Sequence, residues 1–64
     1  MKVNGKDVPL DRSVSLASYL LNAGFDIDKV AVERNGMIET RENYGHTLLN
    51  DDDVLEIVWF VGGG

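Results

Sequence analysis

The sequence predicts an α+β protein in which a mixed ββαββ sheet carries one main helix on one face. Three observations predict it. Two Asn-Gly dipeptides, Asn4-Gly5 and Asn35-Gly36, mark tight hairpins, because this pair tolerates the positive φ angles that such turns need. Leu16, Tyr19, Leu20 and Ala23 follow the i, i+3, i+4, i+7 spacing of a helix with one apolar stripe. Val54 to Val61 is β-branched and aromatic, broken by Glu56, which is the pattern of a strand buried in the middle of its sheet.

Taken in order, Met1 and Val3 form the first strand, and Val8 and Leu10 the second, across Asn4-Gly5. Pro9 has no N–H for a ladder, which suits a strand at the sheet edge. Ser15 precedes the helical stripe as an N-cap, and Gly24 follows it where a left-handed cap falls. Phe25 and Ile27 are expected to pack under the end of this helix. Lys29 to Asn35, reading KVAVERN, forms a strand that turns at Asn35-Gly36 into Met37 and Ile38, with Glu33 and Arg34 facing solvent. Residues 40–47 are polar and irregular, with one helical turn at Arg41 to Tyr44 and Tyr44 as a packing residue. Leu48-Leu49 leads to a turn at Asn50 to Asp53 and then to the last strand. Pairing the first and last strands in parallel at the centre of the sheet accommodates this order with one crossover helix.

Size and charge narrow the function classes. With 64 residues there is one domain, near the lower limit for a single core. Six Lys and Arg against 11 Asp and Glu leave a net charge of -5, a poor match for nucleic acid or anionic lipid but one that steers the chain toward a basic protein surface. No cysteine is present, which excludes disulfides, thiolate metal sites and a thiol nucleophile. The N-terminus has no export signal and no stretch approaches 18 apolar residues, so the expectation is a cytoplasmic protein, monomeric when free.

The order of elements and the way the chain ends resemble the ThiS family of sulfur carriers, which belong with MoaD to the ubiquitin-like group. The residues that carry the resemblance are the NGKDV hairpin, the capped helix SLASYLL, the VAVERNG hairpin, the strand DDDVLEIV and the terminus FVGGG. Gly63-Gly64 is the most specific part. The resemblance implies a β-grasp domain over residues 1–61 followed by a flexible glycine tail at 62–64. It implies adenylation of the Gly64 carboxylate by a ThiF-type adenylyltransferase using ATP and Mg²⁺, then conversion to a thiocarboxylate. It further implies delivery of sulfur to a ThiG-type thiazole synthase for the thiazole ring of thiamine. A MoaD-like carrier for molybdopterin, a protein modifier joined to lysine through Gly64, and a β-grasp interaction module with a passive tail are the alternatives.

The chemistry has its own logic in these residues. A terminal carboxylate with a pKa of about 3.5 is ionised at neutral pH and is a poor acyl electrophile until adenylation supplies a leaving group. Gly62, Gly63 and Gly64 present no side chains to obstruct the approach of a nucleophile, and three residues give a thread of about 10 Å that enters a narrow channel. No Ser or Thr is read as a nucleophile activated by a His base and no glycine-rich phosphate loop precedes a helix, so the chain is expected to be a carrier and not an enzyme, and to bind no cofactor itself. Without cysteine, sulfur has to arrive from a persulfide on a donor protein.

Strand alternation sorts the remaining candidates. Leu55 and Ile57 form the helix-facing set, with Trp59 either joining it or breaking the alternation, which leaves Val54, Glu56, Val58 and Phe60 opposite. Val58, Trp59 and Phe60 are accordingly the candidate partner interface, with Met37 and Ile38 either joining it or packing in the core. Asp51 to Asp53 reads as a turn and not a metal loop, and His46 as a surface residue, so no metal site is expected.

Overall fold

The computed structural model describes residues 1–60. Val61, the domain limit placed there and the Gly62 to Gly64 tail lie outside the described residues, while the last strand, expected to run to Val61, already ends at Trp59. Five strands are present: β1 (Lys2–Val3), β2 (Lys6–Asp7), β3 (Val30–Arg34), β4 (Met37–Glu39) and β5 (Val54–Trp59), with the helix α1 at Leu16–Asn22. They form one mixed sheet in the order β2-β1-β5-β3-β4. The ββαββ pattern is thus realised with a fifth, short strand, because Met37 to Glu39 pairs antiparallel with Arg34 to Val32 as an edge in its own right.

The apolar character of β5 explains its position. It pairs in parallel with β1 through Lys2↔Val54 and Val3↔Leu55, and antiparallel with β3 from Val30↔Trp59 to Arg34↔Leu55. The short polar strand β2 lies at the edge. It stops at Asp7, so Val8 and Pro9 fall beyond it, although the Val8 N–H still bonds the Met1 carbonyl at 2.7 Å. Both hairpins turn as the Asn-Gly pairs require, with φ of 52° and 84° at Asn4-Gly5 and 54° and 84° at Asn35-Gly36.

The helix is short and strongly capped. The Ser15 hydroxyl accepts from the Ser18 N–H at 3.1 Å. Gly24 has φ 89°, its N–H bonds the Leu21 carbonyl, and the Phe25 N–H reaches back to the Leu20 carbonyl at 2.8 Å, the paired closure of a Schellman motif. Its first N–H groups are satisfied from the long connection, Leu16 donating to the Thr47 carbonyl and Ala17 to that of Tyr44. Leu16 and Leu20 are buried with Val3, Val30, Val32, Leu55 and Ile57 in one core, which Met1, Tyr44 and Leu49 complete.

Two local differences from expectation have physical reasons. Ile27–Lys29 is a 3-10 turn, because the Asp26 carboxylate accepts from the Asp28 N–H and starts a helical turn before β3. Arg34 does not face open solvent. It lies at the helix-facing parity of β3, and its guanidinium pairs with Glu39 at 3.0 Å and Asp53 at 3.4 Å. Arg41–Asn43 is a 3-10 turn and Tyr44 is buried. No described helix is long and apolar enough to cross a membrane.

Candidate functional site at the end of the last strand

The strand that leads to the glycines is held from both sides by asparagines. On one side, β1 reaches no further than Leu55, and the Asn4 side chain extends the ladder by one step. Its Oδ1 accepts from the Ile57 N–H at 2.7 Å and its Nδ2 donates to the Ile57 carbonyl at 3.1 Å, as a backbone peptide would. On the other side, the Asn35 N–H donates to the Val54 carbonyl at 2.8 Å and its Oδ1 accepts from the Val54 N–H at 2.9 Å. The positive φ of each turn asparagine lets its side chain reach β5. Sequence reasoning read both residues as turn formers and missed this second role. The available signal was the choice of Asn, whose amide both donates and accepts.

Near the start of β5, Asp53 is buried and anchors the strand. It accepts from the Asn50 N–H at 2.9 Å, from Asn35 Nδ2 at 2.9 Å and from Arg34. Burial pushes its pKa up, but the bonds from Asn50, Asn35 and Arg34 outweigh burial and hold it below the usual carboxylate range. Asp51 is held below that range by the Leu10 N–H and by the Met1 ammonium, each 3.0 Å away. These aspartates form the expected turn, and they line a cleft of about 210 Å³ with Met1, Lys2 and Asp7. Among the described residues, no group of three or more His, Cys, Asp or Glu is arranged to hold a metal ion.

At its far end β5 pairs on the β3 side. Trp59 lies opposite Val30, the first residue of β3, and the Phe60 N–H still donates to the Lys29 carbonyl at 2.8 Å. The strand stops at Trp59 because the 3-10 turn at Ile27–Lys29 leaves no further β3 residue to pair. The three candidate interface residues are placed differently. Val58 is opposite Ala31 on the sheet face away from the helix. Trp59 is at the opposite parity, its ring 5.5 Å from that of Phe25 and tilted by 34°. Phe60 follows the strand and is exposed, as are Val58 and Trp59. Val54 is exposed too, while Leu55 and Ile57 are buried, so the expected alternation holds through Val58. Met37 and Ile38 are exposed and outside the core. His46 is at the surface. Gly62, Gly63 and Gly64 lie outside the described residues.

A family model described as the ThiS family matches residues 1–64. The chain belongs to the ThiS family. Among its ThiS-family relatives, the sulfur carrier protein ThiS of Bacillus subtilis is 42% identical over 66 residues, covering 100% of this chain and 98% of that protein. A crystal structure of the thiamine biosynthesis protein ThiS from Geobacter metallireducens superposes with a TM-score of 0.81 at 33% identity, covering 98% of this chain and 96% of that one. The five-stranded mixed sheet with one helix is therefore the ubiquitin-like β-grasp of ThiS. The thiazole synthase of Magnetococcus marinus is 40% identical over 62 residues, which are 97% of this chain but 19% of that protein. The chain thus spans about a fifth of the length of the thiazole synthase relatives it matches.

Proposed function

We propose that this chain is a sulfur carrier of thiamine biosynthesis and that the Gly64 carboxylate is its working group. The observation that carries the reading is the ThiS match, which runs the full length of the chain through Gly62, Gly63 and Gly64. A ThiF-type adenylyltransferase transfers AMP from ATP, with Mg²⁺, to the Gly64 carboxylate and releases pyrophosphate. The outer sulfur of a persulfide on a donor protein then attacks the carbonyl carbon and AMP departs, leaving an acyl disulfide; a thiol of the partner attacks the donor's sulfur in that S–S bond, forms a disulfide with it and releases the thiocarboxylate. The chain supplies the acyl group and a shape to be recognised; ATP and Mg²⁺ are bound by the partner. Gly62 and Gly63 thread the partner's channel because they add no side chain to its width. A partner that consumes ATP supports the expected cytoplasmic location.

The destination follows from the relatives. A segment similar to this chain makes up 19% of proteins named thiazole synthase. That supports a ThiG-type synthase as the acceptor here and thiamine over molybdopterin as the pathway. Intact mass after incubation with the adenylyltransferase, ATP, Mg²⁺ and a persulfide donor tests the proposal. Exchange of oxygen for sulfur at Gly64 adds about 16 Da. An unchanged mass, or the same gain after deletion of Gly63-Gly64, would overturn it.

A further inference from the structure

The sheet face away from α1 carries a shallow groove of about 70 Å³ lined by Ala31, Val32, Glu33, Ile38, Glu56 and Val58. Ile38 and Val58 are 75% and 61% exposed there, beside Ala31. Glu33 on β3 and Glu56 on β5 stand directly opposite each other in the register. Like charges at such a position repel and destabilise a sheet, whereas opposite charges there help it. Five of the 11 acidic side chains have a cation near them: Lys2 is 3.7 Å from Asp7, Lys29 is 4.0 Å from Asp26, Arg34 holds Glu39 and Asp53, and the Met1 ammonium holds Asp51, while Asp11, Asp28, Glu42 and Asp52 have no such partner among the described residues. Among the described residues neither Glu33 nor Glu56 makes such a pair. Lys2, which shares this face through its pairing with Val54, is turned to Asp7 on the other side of β1.

We propose that this face docks a partner surface presenting an arginine, its guanidinium set between Glu33 and Glu56 and its alkyl stem over Ile38, Ala31 and Val58. The occupant has to be cationic at its tip and apolar along its stem, which excludes a purely apolar docking surface and an acidic one. A planar guanidinium with five donors bridges two carboxylates, while an ammonium acts as a point charge. The net charge of -5 guides such a partner to the chain from a distance. The inference rests on the carrier reading in one respect, that the partner is the activating adenylyltransferase.

Direct titration of the adenylyltransferase with unmodified carrier, at low and physiological salt, tests this without requiring the chemistry to occur. The variants are Glu33→Gln, Glu56→Gln and the double substitution, each also followed by thermal melting. The double variant is expected to bind about tenfold more weakly with a flatter salt dependence, and to melt no lower than the parent because the repulsion has been removed. Equal affinity and salt dependence in parent and double variant would overturn the docking inference, as would a parent that does not bind. The mass gain at Gly64, measured on the same preparations, reports on the carrier reading separately. A parent that binds but gains no sulfur overturns that reading and leaves the docking result standing.

Discussion

At the residue scale, Asn4 shows how one side chain can replace a length of strand. β1 is two residues long, and without the Asn4 amide the N–H and carbonyl of Ile57 would lose their partner on that side. Asn4→Ala is expected to lower stability by about 2 kcal/mol in urea unfolding, combining two lost hydrogen bonds with a left-handed φ that alanine resists. Asn4→Gly keeps the φ and loses the bonds, so it should fall between Asn4→Ala and the parent. Asp53 gives a pH signature. A carboxyl whose folded pKa lies below its unfolded value contributes stability that is complete above the unfolded value, near 4, and is lost as pH falls through the lower folded value. Asp51 acts in the same direction. Unfolding free energy measured from pH 7 downward is expected to drop below about pH 4, and to drop less steeply in Asp53→Asn, which starts lower at pH 7. The Arg34 and Asp53 pairing was not legible in the sequence, since 19 residues separate them and solvent exposure was the reasonable expectation for an arginine on a strand.

At the element scale, the helix was legible nearly to the residue and the edges of the sheet were not. Ser15, the stripe from Leu16 to Ala23 and Gly24 all act locally, and the cap bonds found are those that their residue types favour. A helix of seven residues has little intrinsic stability, so it depends on these caps and on Leu16 and Leu20 in the core. Ser15→Ala is expected to reduce stability by about 1 kcal/mol, measured by chemical denaturation, with no change in binding to the adenylyltransferase. By contrast, the ends of β2, β3 and β5 are set by where a neighbouring strand begins or stops. β5 ends at Trp59 because β3 begins at Val30, a fact about pairing that no property of Trp59, Phe60 or Val61 contains. The open face behaves likewise: Val58 and Ile38 are as apolar as many core residues, and their exposure follows from a single helix covering one side of the sheet.

At the scale of the whole molecule, the buried core draws on Met1 to Ile57 and includes both ends of that span. Deletion of Gly63-Gly64 is accordingly expected to leave the melting temperature within about 2 °C of the parent while abolishing the mass gain. That outcome would separate a folded body, which carries the address, from the glycines that carry the chemistry; a large drop in melting temperature would refute the division. The sequence by itself determined the fold class, the helix and its caps, the two Asn-Gly turns, the central position of the last strand and the glycine motif, because each depends on local conformational preference or on apolar patterning. Only the tertiary structure decided that Asn4 and Asn35 clamp β5, that Asp53 is buried against Arg34, and that Glu33 faces Glu56 beside Ile38 and Val58. Each of those depends on strand register, which is fixed by the packing of the whole sheet against α1 and cannot be read from any one segment.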